Sequence, residues 1–235
     1  MTPIFPRLLI AAALSLVSLP ALALEPFVAT YQAYNGGKLA GSATMTVSAE
    51  PDNRWQVDLD IRGTRGFARL AGLNIKQTTV FDSHHDIYRP LGQSTVRRAL
   101  FSGRDNQGIY DWHSMTARWQ GDIKESRTRP VPLHAGDVSA LLMNLAVIRD
   151  AEPGKTLHYR VVDNGRARDH EYRVSELNEI VQVEELSYDA MRVARTNGGN
   201  DEIILWVANG VPTPVRILQR ENGQDAIDLR LVEYQ

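Results

Sequence analysis

Between Asp137 and Arg149 the chain carries its only long helical signal, set in a sequence that otherwise reads as short strands and turns. Val138, Leu141, Leu142, Leu145 and Ile148 recur at helical spacing and form one apolar stripe. Asp137 is the expected N-cap, Gly136 lets the chain turn into it, and Pro153-Gly154 stops any continuation past Arg149. The flank opposite the stripe is only weakly polar, with Ser139, Met143, Asn144 and Ala146. A lone helix this apolar must be covered on most sides. A sheet therefore has to wrap around it or be capped by it.

The flanking sequence supplies that sheet. Trp55, Val57, Leu59 and Ile61 alternate with Gln56, Asp58, Asp60 and Arg62, the two-residue period of a half-buried strand. Similar runs open at Phe27, Lys38, Lys76, Pro90 and Tyr110. After the helix they resume at Lys155, Asp169, Ile180, Met191, Ile203, Val215 and Ile227. Turn signals such as Asn35-Gly36-Gly37 and Asp163-Asn164-Gly165 separate them, since Asn and Gly tolerate positive φ. Gly63 to Gly72, with Arg62, Arg65 and Arg69 around Phe67, Leu70 and Leu73, breaks the rhythm and reads as an irregular, mobile excursion. The expected fold is mainly β. It is a single antiparallel, strongly curled sheet or barrel-like domain, with one substantial helix at about 137–149 packing on or plugging it.

Residues 1–23 read as a cleaved signal peptide: Arg7 in the n-region, an apolar stretch from Leu8 to Leu19, and the small-x-small site Ala21-Leu22-Ala23. That implies export to the periplasm and a single β-rich domain over 24–235. No later run is long enough to span a membrane as a helix. The chain has no cysteine, which excludes disulfides, thiolate catalysis and a lipid-modified cysteine at the cleavage site. Once Arg7 is removed with the signal, 25 basic residues face 28 acidic ones. The signs are interspersed along the chain, so neither a nucleic-acid face nor a polybasic lipid-binding run is expected.

Two segments carry a resemblance to a known family. Tyr31-x-x-Tyr34-Asn35-Gly36 followed by Gly41 resembles the opening hairpin of the exported bacterial proteins grouped as the domain of unknown function 3108 family. Leu205-Trp206-Val207 followed by Pro212-x-Pro214-Val215-Arg216-Ile217 is similar to that family's closing pattern, and the Asp137-Val138-Ser139 start matches its single helix. The resemblance spans Phe27 to Leu231. It implies export and a β-rich domain, and it brings no catalytic residues to carry over.

The residues themselves offer little chemistry. No nucleophile elbow, zinc-protease helix, phosphate loop or dinucleotide fingerprint is present, so a non-enzymatic protein without a cofactor is expected, with an uncharacterised hydrolase as the third reading. His84 with Asp86 is a weak metal candidate, because residues two apart on a strand share a face, but a polar turn accounts for both. Arg62 to Arg69, with Arg97, Arg98 and Arg104, could meet an anionic group such as a phosphate headgroup, but a charged surface balanced by the many carboxylates is the favoured account. The expected binding residues are Tyr31, Tyr34, Trp55, Leu141, Leu145, Ile148 and Trp206, lining a barrel-like cavity for a lipid or another apolar or amphipathic molecule. The alternative is an interaction or scaffold protein of the cell envelope that uses exposed sheet edges.

Overall fold

A computed structural model describes residues 24–70, 72–84, 87–100 and 102–235. The expected signal segment, residues 1–23, lies outside them. The chain first runs as a meander: β1 (Phe27–Asn35), β2 (Lys38–Glu50), β3 (Arg54–Gly63), a short helix α1 (Gly66–Leu70), β4 (Asn74–His84), β5 (Ile87–Ala99), β6 (Ser102–Asp111), β7 (Thr116–Gly121) and the two-residue β8 (Val131–Pro132). Helix α2 (Leu142–Asp150) follows. The second meander comprises β9 (Thr156–Asp163), β10 (Arg166–Val174), β11 (Glu179–Val183), β12 (Leu186–Arg195), β13 (Glu202–Ala208), β14 (Arg216–Glu221) and β15 (Gln224–Tyr234). β15 pairs antiparallel with β1, so both meanders join in one sheet that ends at β8 on one side and β9 on the other.

The segment between β8 and α2 closes that sheet. Leu133 N–H donates to Met115 O at 2.9 Å, which holds the segment to the β7 side. Five residues on, Val138 forms a parallel bridge with Val161. Its N–H reaches Arg160 O at 3.1 Å, and its carbonyl accepts from Val162 N–H at 2.9 Å. Arg160 fastens the seam a second time, with Nη1 2.5 Å from Asp137 Oδ2 and Nη2 donating to Pro132 O. A small separate core of Tyr110, Ala117, Trp119, Leu133 and Val162 lies along the junction. There Trp119 and Tyr110 meet edge to face, 5.4 Å between centroids. Trp119 can lie flat on β6 because the facing residue is Gly108, where a Cβ would come within 2.4 Å of the indole nitrogen. The result is a nearly closed antiparallel barrel with one substantial helix; the alternation predicts the curled sheet, and this segment supplies the closure.

The helix differs in extent from the expected 137–149. It begins at Leu142 because Val138, although at helical spacing, is used as a strand, and Asp137 is taken up by Arg160 and by the His134 N–H at 2.8 Å. Ser139 caps the helix instead. Its Oγ accepts the Leu142 N–H at 3.1 Å and lies 2.9 Å from Thr79 Oγ1 of β4, so one side chain ties the helix start to the barrel wall. Leu142 to Val147 are all buried, including Met143 and Asn144 on the weakly polar flank opposite the stripe. The helix is a plug surrounded by sheet rather than a lid with a wet face. The irregular stretch after β3 contains the short helix α1, and the Thr64 and Arg65 N–H groups just before it bond to Ala40 O.

Two predictions follow from this packing. Asp137 is 1% exposed, and removing it leaves Arg160 half-desolvated without its counter-ion. Asp137→Ala should therefore cost about 3 kcal/mol in urea denaturation, the usual loss on breaking a buried ion pair, and should accelerate amide exchange at Val138 and Val162 first. His170 on β10 is buried; desolvation, reinforced by Arg195 and Arg168, lowers its pKa to about 4. Below pH 6.5 the unfolded chain takes a proton that the folded one refuses, so stability should fall as pH drops from about 6.5 towards about 4. His170→Gln should flatten that dependence in urea midpoints measured across the range.

Candidate functional site

The residues expected to line a cavity divide between two faces of the sheet. Tyr31 is fully buried in the interior; its hydroxyl donates to Pro214 O at 3.0 Å and lies within hydrogen-bond reach of the Thr213 hydroxyl. Burial pushes that phenol well above its ordinary range. Leu141 and Leu145 are also buried in the main core, with Ile148 and Trp55 half-buried against it. Tyr34, an odd number of residues from Tyr31, points the other way.

Tyr34 belongs to a ladder with Trp206 on the opposite face. In register, Trp206 pairs with Arg216, Arg216 with Arg230, and Asp228 with Tyr34. Asp228 is 4% exposed and takes two hydrogen bonds each from Arg216 (2.8 and 2.9 Å) and Arg230 (3.0 and 2.9 Å). The two guanidiniums also stack, Arg216 over Trp206 at 4.8 Å and Arg230 over Tyr34 at 4.2 Å. The β11–β12 hairpin lies on this ladder, its Glu179 accepting from the Trp206 indole N–H and its Glu184 from the Tyr34 hydroxyl at 3.0 Å. β13 is consequently buried on both faces from Ile204 to Ala208. Tyr34 and Trp206 thus serve as anchors for a hairpin.

Little room remains beneath the helix start. The gap lined by Gln77, Thr79, Gln93, Thr95, Leu141 and Asp163 measures about 10 Å³, the space of a single water. Its lining is polar: Gln93 bridges the Asp163 carboxylate and the Tyr110 hydroxyl, and burial raises the Asp163 pKa. Of the metal candidates, His84 ends β4 and Asp86 lies outside the described residues. Among the described residues no group of three or more His, Asp or Glu is placed to hold an ion.

The open site is on the outer surface, at the end of β3, β4 and β5 beside α1. An open groove of about 320 Å³ is lined by Asp60, Arg62, Asn74, Lys76, Val96 and Arg98. Strand register builds it. Arg62, Asn74 and Arg98 stand in one row across three strands, and Asp60, Lys76 and Val96 in the next. Arg69 lies in α1 and Arg65 immediately before it, while Arg97 and Arg104 pair across β5 and β6 in the row of Ile61 and Ile75, on the other face of the sheet at the same end. A direct cross-strand pair of like charges opposes folding, so nothing within the sheet accounts for it. Residues 60–76 and 96–106 hold seven Arg and Lys against Asp60 and Asp105, a net charge of +5 in a chain whose total is −2. All seven cations are exposed. Arg62 pairs with Asp60 at 2.8 Å and Lys76 reaches Asp58 only at 4.0 Å; the other five have no ion-pair partner among the described residues. The even interspersion of charge expected from the sequence does not hold here. Leu100, 64% exposed, sits at the tip of the adjoining β5–β6 turn. Sequence reasoning had the arginines in hand; what it lacked was the β3–β4–β5 register that puts Arg62 and Arg98 side by side.

Comparison with known proteins places this architecture. A crystal structure of a beta-barrel-like protein of domain of unknown function DUF1849 from Brucella abortus superposes with a TM-score of 0.53 at 10% identity, covering 89% of this chain and 97% of that one. A DUF1089 family protein from Pseudomonas aeruginosa matches at a TM-score of 0.39 and 12% identity, over 74% of this chain and 87% of that one, too weakly to bear on the fold. No curated protein matches the sequence. The model of the family described as protein of unknown function, DUF3108, matches residues 30–230, from the Tyr31 hairpin to the last strand, and the chain belongs to that family.

Proposed function

We propose that this protein is a non-enzymatic component of the periplasm that engages an amphipathic, anionic constituent of the cell envelope, with a lipid surface as the favoured partner. The observation that carries the reading is the cationic rim: seven exposed Arg and Lys side chains gathered at one end of a molecule that is acidic overall. The packed interior, in which Tyr31, Leu141 and Leu145 share one buried core, supports a role for the outer surface over carriage inside the barrel, and the gap at the helix start measures only about 10 Å³. Export through the N-terminal signal would bring the rim within reach of envelope phosphates. Among the described residues no helix is long and apolar enough to cross a membrane.

The energetics suit reversible docking. Each Lys or Arg held near an anionic surface contributes about 1 kcal/mol, and the attraction decays over a screening length of about 10 Å at 0.1 M salt. Leu100 at the tip adds a small apolar contact at the depth of the headgroups. Co-sedimentation of residues 24–235 with vesicles containing phosphatidylglycerol should show binding that weakens steeply with salt and is nearly absent on phosphatidylcholine. The triple substitution Arg97→Glu, Arg98→Glu, Arg104→Glu should weaken it at least tenfold while leaving the urea midpoint close to that of the parent. Equal binding to neutral and anionic vesicles would refute the proposal.

A further inference from the structure

A second pole of charge lies on the β11–β12 hairpin. β11 pairs with β12 from Glu179↔Ala190 to Val183↔Leu186, and no strand among the described residues pairs with its other edge. Its side chains alternate. Val181 and Val183 are buried against the sheet, while Ile180 is 72% exposed and Leu177, just before the strand, is 81% exposed. A row of backbone donors and acceptors is therefore open beside two uncovered apolar side chains, the arrangement that accepts an added strand.

Charge selects among the possible occupants. Residues 176–189 contain Glu176, Glu179, Glu184, Glu185 and Asp189 and no Lys, Arg or His. Pairing with the same edge of a second copy would bring two such acidic segments together, which like-charge repulsion across strands opposes. A segment carrying Lys or Arg is favoured instead. The hairpin is also held in place before anything binds, by Glu179 on Trp206, Glu184 on Tyr34 and Asn178 on Asp189. An incoming strand would meet an ordered template and bear only its own ordering entropy. The geometry points to a docking site for an extended protein segment with alternating apolar and basic side chains, added to the free edge of β11. This site is independent of the cationic rim, which would repel such a segment.

The test uses residues 24–235 and a ten-residue probe peptide alternating Lys and Val, with a Glu–Val peptide of the same length as its counterpart. In amide hydrogen exchange the Lys–Val probe should protect β11, and the Glu–Val peptide should leave it unchanged. Ile180→Lys combined with Glu185→Lys changes two surface positions and should weaken binding of the Lys–Val probe at least tenfold with no change in the thermal midpoint. Three results would each overturn the inference. One is equal binding of both peptides, and another is probe contacts mapped away from residues 176–189. The third is a concentration-dependent dimer that Ile180→Lys dissolves, which would make a second copy the occupant.

Discussion

Everything in this architecture depends on how the two ends of one long sheet are brought together. A sheet built from two meanders joined at β1 and β15 has two edges to cover, and an uncovered edge is an invitation to aggregate. The chain covers both with the same short segment, which leaves β7 through Leu133 and reaches β9 through Val138. Asp137 is the fastening. Its carboxylate meets Arg160 of β9 and the His134 amide, so the turn between the two attachment points is held as firmly as the attachments. Since α2 starts four residues after Val138, closing the seam also places the plug, and Ser139 fixes its angle through Thr79 on the wall. A filled interior is a consequence of the closure.

The parts of this that could be read from the sequence are those governed by local periodicity. The alternation from Trp55 to Arg62 is a strand with Val57 and Leu59 inward, and the Asn35-Gly36-Gly37 turn is a hairpin with both glycines at positive φ. The start of the helix was misread for a definite reason. Val138 fits a helical stripe and a strand bridge equally well, and the choice is made by Arg160, which lies 22 residues later in the chain. The division of Tyr31 and Tyr34 between faces was, by contrast, available from the two-residue period: an odd separation on one strand puts side chains on opposite sides. Register could not be read at all. Arg62 and Arg98 are 36 positions apart, and only the pairing of each with Asn74 makes them neighbours.

The averaged charge of the chain conceals the same information. A net of −2 over 235 residues suggests a mixed surface, yet residues 60–76 with 96–106 carry +5 and residues 176–189 carry −5. The first pole is built by strand register around a turn and a short helix. The second is a hairpin laid over the Tyr34–Asp228–Trp206 ladder. The aromatic residues that looked like ligand contacts are, in this reading, part of what holds the acidic pole in place, while Tyr31, Leu141 and Leu145 belong to the packed core.

The central claim is that this barrel works through its surface and not through its interior. Backbone amide shifts of the isotope-labelled protein, titrated with nanodiscs of anionic lipid, test it residue by residue. The account predicts perturbation confined to residues 62–76 and 97–104, with the amides of Tyr31, Leu141 and Leu145 unmoved. Shifts centred on those three residues, with the arginine rim silent, would contradict it and return the ligand to the inside of the barrel.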